Sequence, residues 1–250
     1  MWSVVVVPLY WRGRRTGSSP MRHHAIYLGS FYAALAIASG AAAQPAPAVT
    51  SRTPEAVSAE TLYRDATSPR APTHALRLTF GYFPAAGWGQ PELIAAARAA
   101  AAILGQCRVR IEAVELVALE GERRFQDFDT PVARELARRV PLPRPAVYFV
   151  ADSRQRPAFD AEAIGRGNSR TRPELADTVW VTRGTRDLGI VLAHELVHVL
   201  IDSGEHSRAH GNLMREDTAP TQTLLDAEQC DRLRAVGAAH GLLTETMGNR

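Results

Sequence analysis

The sequence predicts a mixed α/β fold (an α/β or α+β layer), in which helices pack on a mixed twisted sheet. Between residues 74 and 182, short segments with a strand pattern alternate with segments of helical composition. After residue 182 the pattern is mainly helical. Strands that alternate with helices, followed by a helical C-terminal part, are typical of one sheet covered by helices. The hydrophobic content of 46% over 250 residues is ordinary for a globular protein and supports one good-sized core.

The individual elements follow from the period of the apolar residues and from helix and turn signals. Alternating or continuous apolar segments predict strands at 75–83, 109–119, 145–150 and 178–182. Pro91 stands in the first turn of an alanine-rich helix that ends at Gly105. Further helices are predicted at 130–139, 186–201 and 221–240. The polar segment 152–176, which contains several Gly and Pro residues, is predicted to be a long loop.

The first 72 residues differ in composition from the rest of the chain. A positive residue, Arg22, precedes an apolar run over 25–38 and three small residues at 41–43, which is the pattern of a cleaved signal peptide. The apolar run of 14 residues is too short to cross ~30 Å of hydrocarbon comfortably. We therefore expect residues 1–43 to be a leader, with Met21 as an alternative start. Residues 44–72 are expected to form a disordered linker, and residues 73–250 the folded domain.

The charge distribution argues against a nucleic-acid partner. The net charge is +3, and all 29 basic residues are arginines. Four of these arginines lie in the first 43 residues, which contain no acid, so the remaining 25 face 26 acidic residues. The excess of positive charge therefore lies in the first 43 residues, and the rest of the chain has no basic patch to bind nucleic acid. We expect an exported monomer, periplasmic or secreted, without a stable membrane span after signal cleavage.

Two cysteines, Cys107 and Cys230, lie far apart in the sequence. In an exported protein they suit a single disulfide. Two buried free thiols fit the sequence nearly as well, because cysteine is often a small core residue. Neither has a second cysteine at the spacing of a thiolate metal site, which excludes a cysteine-ligated metal.

The predicted helix at 186–201 carries the strongest functional signal. The helix is apolar on nearly every face, so we expect it to be buried, with three polar residues that need partners. His194 and His198 are four residues apart and project from one face, where two ring nitrogens can bind one tetrahedral metal ion. Glu195 lies about 100° around the helix from His194, beside such an ion and not bound to it. This arrangement predicts one catalytic Zn²⁺ with Glu195 as the base that accepts a proton from the metal-bound water.

A catalytic zinc ion needs a third protein ligand, which the residues themselves leave open. The candidates downstream of the helix are Asp202, Glu205, His206 and His210. Gly204 is expected to end the helix with a positive φ and to reverse the chain. From the last helix, Glu228 or Asp231 would provide a carboxylate ligand instead. His74 and His240 lie near the ends of the domain and are expected on the surface.

The motif at 194–198, followed by Gly204-Glu205-His206-Ser207 and by Asn212-Leu213-Met214, resembles the metzincin clan of zinc peptidases. The Gly-x-His-Ser and Leu-Met run is particularly similar to the matrixins. In this clan a glycine turn brings in a third histidine, and a methionine-containing turn lies under the metal. The resemblance implies His206 as third ligand and Met214 as the residue under the ion. His206 follows His198 by eight residues, two more than in the clan.

The resemblance also implies an activity, the hydrolysis of peptide bonds in a peptide or protein substrate. Two alternatives remain. The first is a non-catalytic exported protein whose metal site is structural or vestigial, as four protein ligands including His210 would indicate. The second is a peptidase like those of the gluzincin clan, in which a carboxylate on the last helix is the third ligand.

Overall fold

The computed structural model of this chain describes residues 49–64 and 71–246. The strands in these residues are β1 (Thr50–Ser51), β2 (Glu55–Ser58), β3 (His74–Tyr82), β4 (Val109–Glu120), β5 (Asp127–Phe128), β6 (Ala146–Phe149), β7 (Asp152–Ser153), β8 (Ala161–Ile164), β9 (Thr178–Val181) and β10 (Leu243–Glu245). The α-helices are α1 (Ala59–Leu62), α2 (Gln90–Leu104), α3 (Thr130–Arg139), α4 (Leu188–Ile201) and α5 (Ala227–Ala239).

The main sheet has a parallel centre and antiparallel margins. Along the sheet the strand order is β1-β4-β3-β6-β9-β8, with β2 also paired to β4 and β10 to β3. The pairs β3–β4, β3–β6 and β6–β9 are parallel. The outer strands β1, β2, β8 and β10 all pair antiparallel with their neighbours. The predicted α/β class with a mixed sheet, a histidine-bearing helix and a C-terminal helix is confirmed.

Two apolar layers cover the faces of the sheet. Along β6, Val147 and Phe149 face the layer that contains α2, α4 and α5, whereas Ala146 and Tyr148 face the layer that contains α3. Side chains alternate between the faces of a strand, so a central strand covered on both sides has no polar face. All four residues of β6 are accordingly buried. This central position explains why the segment has a continuous apolar sequence.

Helix α4 packs closely against the alanine-rich helix α2. A Cβ atom placed on Gly189 would lie 2.3 Å from Cβ of Ala99 and 3.2 Å from the carbonyl oxygen of Ala96. Only a residue without a side chain allows this approach of the two helices. The small residues of α2 therefore determine how deeply α4, with its histidines, lies in the protein.

The predicted disordered linker at 44–72 is wrong for residues 49–64. This segment contains β1, β2 and α1, and β2 pairs with β4 so that Val57 lies opposite Val114. Val57 and Leu62 are buried, at 5% and 3% exposure. Buried apolar side chains and backbone pairing to β4 thus anchor a segment whose composition is otherwise polar. A composition average over 29 residues conceals this contribution.

Two further predictions about the secondary structure need correction. The segment 152–176 is not an uninterrupted loop, because it contains β7 and β8, and β8 pairs antiparallel with β9. The segment is polar because β8 lies at the edge of the sheet, where most of its side chains are only partly buried. The last helix begins at Ala227, six residues later than predicted, because Asp226 and Gln229 form a capping box there. Reciprocal hydrogen bonds of this kind define a helix N-terminus more strongly than helix propensity does.

The two cysteines form a disulfide bond, with their Cα atoms 4.7 Å apart. Cys107 lies in the turn that follows α2, and Cys230 lies in the first turn of α5. The bond thus connects the C-terminal helix to the region between α2 and β4. Helix α5 also packs against α4.

The predicted leader, residues 1–43, lies outside the described residues. Within the described part of the chain, no helix combines the length and the apolar character needed to cross a bilayer.

Candidate metal centre

Helix α4 carries the histidine pair into the interior of the protein. Ten of its fourteen residues are buried, including His194 at 3% and His198 at 7% exposure. The four-residue spacing places both rings on one face, with their centroids 4.6 Å apart. The apolar sequence of the helix therefore supplies the burial, and the spacing supplies the shared direction of the rings.

The helix ends differently from the expectation for Gly204. The residue in the left-handed conformation is Asp202, with φ 46° and ψ 48°, and Gly204 has no positive φ. Asp residues tolerate this conformation because their short polar side chain makes local hydrogen bonds. The side chain of Asp202 also bonds across the fold, because its Oδ1 accepts a hydrogen bond at 3.0 Å from the N–H of Gly167 in a distant loop. The chain therefore reverses two residues earlier than predicted.

Three imidazole nitrogens converge beyond this reversal. Nε2 of His198 lies 3.0 Å from Nε2 of His194 and 3.3 Å from Nε2 of His206. His206 is exposed, whereas the other two histidines are buried. Among the described histidine, cysteine, aspartate and glutamate side chains, these three form the only group with metal-ligand spacing. The structure thus brings together the two histidines of the helix motif and His206.

Backbone carbonyl groups orient two of the three rings. Nδ1 of His194 donates to the carbonyl oxygen of Leu213 at 2.8 Å. Nδ1 of His198 donates to the carbonyl oxygen of Ser203 at 2.6 Å. Because a carbonyl oxygen only accepts, each Nδ1 carries the proton and each Nε2 presents a lone pair. Both lone pairs are therefore directed towards the centre of the group.

Burial keeps these two rings neutral. It lowers the pKa of His194, and it is the main cause that lowers the pKa of His198 to about 4. Repulsion from a protonated His194 would lower the pKa of His198 further, while the hydrogen bond to Ser203 opposes both effects. A neutral imidazole is the form that binds a metal ion, so at neutral pH no proton has to be displaced from these rings.

The donor set fits a tetrahedral zinc ion. Lone pairs on neighbouring Nε2 atoms repel one another unless a cation lies between them. Zn–N bonds of about 2.0–2.1 Å at tetrahedral angles place two ligand nitrogens about 3.3 Å apart. The observed separations of 3.0 and 3.3 Å are close to this value. Two of the three pairwise separations thus match tetrahedral ligands, and all three ligand atoms lie within 4.8 Å of one another.

Glu195 lies beside this group, on the same helix. Removal from water raises the pKa of Glu195 to about 8; a hydrogen bond from the backbone of Ala163 lowers it, and the charge of Glu162 raises it. Ala163 and Glu162 belong to β8, the antiparallel edge strand. Glu195 thus lies between the histidine group and the edge of the sheet. A nearby cation would favour its ionised form.

His194 and Glu195 open onto a cavity of about 700 Å³. Its walls come from the start of β8, from the segment before α4, and from residues 216–220 after Met214. This volume lies within the range of about 300–1,000 Å³ that small-molecule sites occupy. The side of the histidine group that carries Glu195 is therefore accessible to a substrate.

The other candidate ligands do not join the group. Oε2 of Glu205 accepts from Arg232 at 2.9 Å, and Asp231 forms an ion pair with Arg234. Asp202 contacts the loop at Gly165 and Gly167. The remaining candidates, His210 and Glu228, are both exposed.

Met214 lies within the turn that supports the group. It is buried at 2% exposure, and its carbonyl oxygen accepts from the N–H of Ser207 at 2.6 Å. Ser207 follows His206, so this bond connects the turn to the third histidine. Leu213, one residue earlier, provides the carbonyl that orients His194. The turn of residues 212–214 (the Met turn) therefore contacts the segments of two of the three imidazoles.

Sequence reasoning missed the backbone acceptors of Ser203 and Leu213. A carbonyl group is present in every residue, so no residue type marks the two that orient the rings. It also missed Ala163, whose backbone contacts Glu195, because β8 was interpreted as loop.

No protein-family model matches this chain, and no curated protein matches it. A bacterial metalloproteinase is among the similar solved structures. It is metalloproteinase-II from Bacteroides fragilis, which aligns with a TM-score of 0.47 at 14% sequence identity. The alignment covers 71% of this chain and 60% of that chain, so this chain spans less than two thirds of the other's length. At this degree of similarity, the chemistry of the site has to be inferred from its own geometry.

Proposed function

We propose that this chain is an exported zinc-dependent endopeptidase of the metzincin type. The observation that carries the proposal is the convergence of three imidazole nitrogens, of which the ring of His194 lines an open cavity together with Glu195. A catalytic zinc site has three protein ligands and one accessible position, whereas a structural site is closed by four. No fourth candidate side chain joins the three within the described residues, which favours the catalytic alternative over a structural site.

His194, His198 and His206 would hold the ion through their Nε2 atoms. The hydrogen bonds from Nδ1 to backbone carbonyls fix the tautomer of the first two rings and increase the basicity of Nε2. When bound, Zn²⁺ lowers the pKa of a coordinated water towards ~7 and polarises the carbonyl group of a substrate. Because His206 is exposed, the group has an open side where a substrate can approach.

Glu195 would accept a proton from the attacking water and pass it to the nitrogen of the departing amine. A carboxyl group is efficient in both steps when its pKa lies near the working pH. Burial raises the pKa of Glu195 to about 8, and a neighbouring cation lowers the pKa of a carboxyl group. The two effects oppose each other, so an ion bound by the histidines would bring the pKa of Glu195 down from about 8.

The position of β8 at the edge of the sheet supports the proposal that the substrate is a peptide. β8 pairs with β9 on one side and ends the strand order on the other. An extended peptide can add to such an edge through backbone hydrogen bonds. Because α4 contacts β8, a peptide bound along this edge would lie near the helix that carries Glu195. The proposed substrate is therefore an extended segment of a peptide or protein.

Two observations support the proposal of export. Disulfide bonds persist in oxidising compartments, and Cys107 is bonded to Cys230. The sequence of residues 22–43 has the pattern of a cleaved leader.

The decisive experiment replaces Glu195 by glutamine, which keeps the shape of the side chain and removes the base. We expect Glu195→Gln to bind one zinc ion per chain, as the wild type does, and to lose about 10²–10⁴-fold in peptide hydrolysis. Glu112→Gln is the matched control, because Glu112 is an exposed carboxylate on β4 that pairs with Arg77. Full activity of Glu195→Gln would contradict the role of the base. Loss of zinc from this variant would assign Glu195 to the ligands instead.

A further inference from the structure

A pair of side-chain amides lies between the Met turn and helix α5. Nδ2 of Asn212 donates to Oε1 of Gln229 at 2.9 Å, and Nε2 of Gln229 donates to Oδ1 of Asn212 at 3.1 Å. Asn212 is only 4% exposed, so its amide depends on protein partners. Reciprocal bonds of this kind hold two amides in one relative orientation. The pair therefore connects the turn to the helix at a defined distance.

Each amide oxygen is also fixed by a backbone N–H group. The N–H of Met214 donates to Oδ1 of Asn212 at 2.9 Å, and the N–H of Asp226 donates to Oε1 of Gln229 at 3.0 Å. If either amide rotated by 180°, its NH₂ group would face a backbone N–H, and the bonds of the pair would be lost as well. The network therefore has one favourable arrangement. It also shares Gln229 with the capping box that begins α5.

The Met turn transmits this arrangement to the histidines. Leu213, between Asn212 and Met214, accepts the hydrogen bond of Nδ1 of His194 at 2.8 Å. The carbonyl oxygen of Met214 accepts from Ser207, the residue after His206. A displacement of the turn would therefore move the acceptor that determines the ring orientation of His194. Cys230 follows Gln229 and bonds to Cys107, which holds this end of α5 in place.

We propose that Asn212 and Gln229 are positioning residues of the metal site. They hold the Met turn so that the carbonyl oxygen of Leu213 keeps the ring of His194 directed towards the other two imidazoles. This inference rests on the metal site of the proposed function and not on peptide hydrolysis. It gives the C-terminal helix a role in metal binding although none of its side chains lies among the ligands.

Two variants and one matched control test the proposal. Gln229→Glu keeps an oxygen for the N–H of Asp226 and replaces the donor to Oδ1 of Asn212 by a negatively charged oxygen that repels it. Asn212→Ala removes the whole pair. The control, Asp226→Ala, removes the side chain that accepts from the N–H of Gln229 at 2.8 Å, and leaves Asn212 untouched. It weakens the start of the same helix, as a purely structural change would.

Three measurements on the full chain distinguish positioning from general stability. They are the affinity for Zn²⁺ in competition with a chelator, the visible spectrum of the Co²⁺-loaded protein, and the ¹⁵N NMR signals of the His194 ring without metal. Loss of a group that orients a metal ligand weakens binding by about 10–100-fold. We expect about tenfold weaker Zn²⁺ binding for both variants, shifted Co²⁺ bands, and a mixture of His194 tautomers. Asp226→Ala should lower the melting temperature and leave these three readouts unchanged.

The outcomes separate this inference from the proposed function. The positioning role would be overturned if Gln229→Glu kept the Zn²⁺ affinity, the Co²⁺ spectrum and the His194 ring signals of the wild type. It would also be overturned if Asp226→Ala changed these three readouts as much as Gln229→Glu does. If Asn212→Ala fails to fold, Gln229→Glu still decides. If the wild type binds no zinc, the proposed function fails, whereas the His194 signals of the metal-free protein still test the link from Gln229 to the ring.

Discussion

Nε2 of His198 lies 3.3 Å from Nε2 of His206, although eight residues separate the two histidines in the sequence. The chain covers this distance by ending α4 at Ile201 and reversing at Asp202, whose φ is positive. The carbonyl oxygen of Ser203 then accepts from Nδ1 of His198. The turn after the helix therefore accounts for part of the spacing between His198 and His206. One turn both orients the second histidine and returns the chain towards the third.

The first prediction concerns the identity of the third ligand. We expect His206→Ala to lose zinc at a chelator concentration that leaves the wild type loaded, because only two imidazoles would remain. His210→Ala is the matched control, since His210 is an exposed histidine four residues further along and outside the group. Metal analysis after dialysis checks both variants. Loss of zinc from His210→Ala with retention in His206→Ala would reverse the assignment.

The second prediction concerns the contact between α2 and α4. A Cβ atom on Gly189 would lie 2.3 Å from Cβ of Ala99, and neither atom belongs to a flexible side chain. Overpacking of this kind costs about 1–3 kcal/mol, more than the gain of about 1 kcal/mol in helix propensity from glycine to alanine. We expect Gly189→Ala to lower the free energy of unfolding, as measured in urea.

Gly204→Ala is the control for this change. A Cβ atom there meets nothing within 4 Å, and the φ angle of Gly204 is not positive. The substitution should be neutral or stabilise by about 0.4–1 kcal/mol, because it restricts the unfolded chain. A Gly189→Ala variant as stable as Gly204→Ala would show that the two helices can separate at little cost.

The third prediction concerns the disulfide bond, whose cysteines are 123 residues apart. Closing so long a loop restricts the unfolded chain, and removal of such a bond typically costs about 2–5 kcal/mol. We expect Cys107→Ala combined with Cys230→Ala to lower the free energy of unfolding by that amount. Urea unfolding of this variant and of the wild type, each with and without reductant, provides the comparison. An unchanged midpoint in the variant would contradict the prediction.

Much of the fold was predictable because its signals are local. Helix 130–139 has the bounds of α3, and the strand predicted at 109–119 differs from β4 by one residue. The histidine pair was predictable for the same reason, since a four-residue spacing on an apolar helix determines both the shared face and the burial. Residue pattern alone left six candidates for the third ligand, four just after the helix and two on the last helix. Their separation depends on the turn at Asp202, which is not visible in the sequence.

The remaining errors concern features that depend on tertiary contacts. The segments around β2 and β8 have polar compositions, and they become strands because β4 and β9 offer them unpaired edges. The amide pair of Asn212 and Gln229 spans 17 residues and has no periodic signal. The carbonyl oxygens that orient the rings also have no periodic signal in the sequence. Local pattern therefore identifies the histidine pair of the helix, and only the folded chain identifies the third histidine of the group and the backbone groups that orient the rings.

The bond between Cys107 and Cys230 also spans the whole site, since Glu195 and all three histidines lie between the two cysteines. Under the proposed peptidase activity, each molecule would be exposed to cleavage by its neighbours. If one peptide bond between residues 107 and 230 is cut, the two fragments stay covalently joined and keep their sheet and helix contacts. Such a nicked molecule has the mass of the intact one plus a water, and its fragments separate only after reduction. An intact backbone can therefore be distinguished from a nicked one by electrophoresis under reducing conditions.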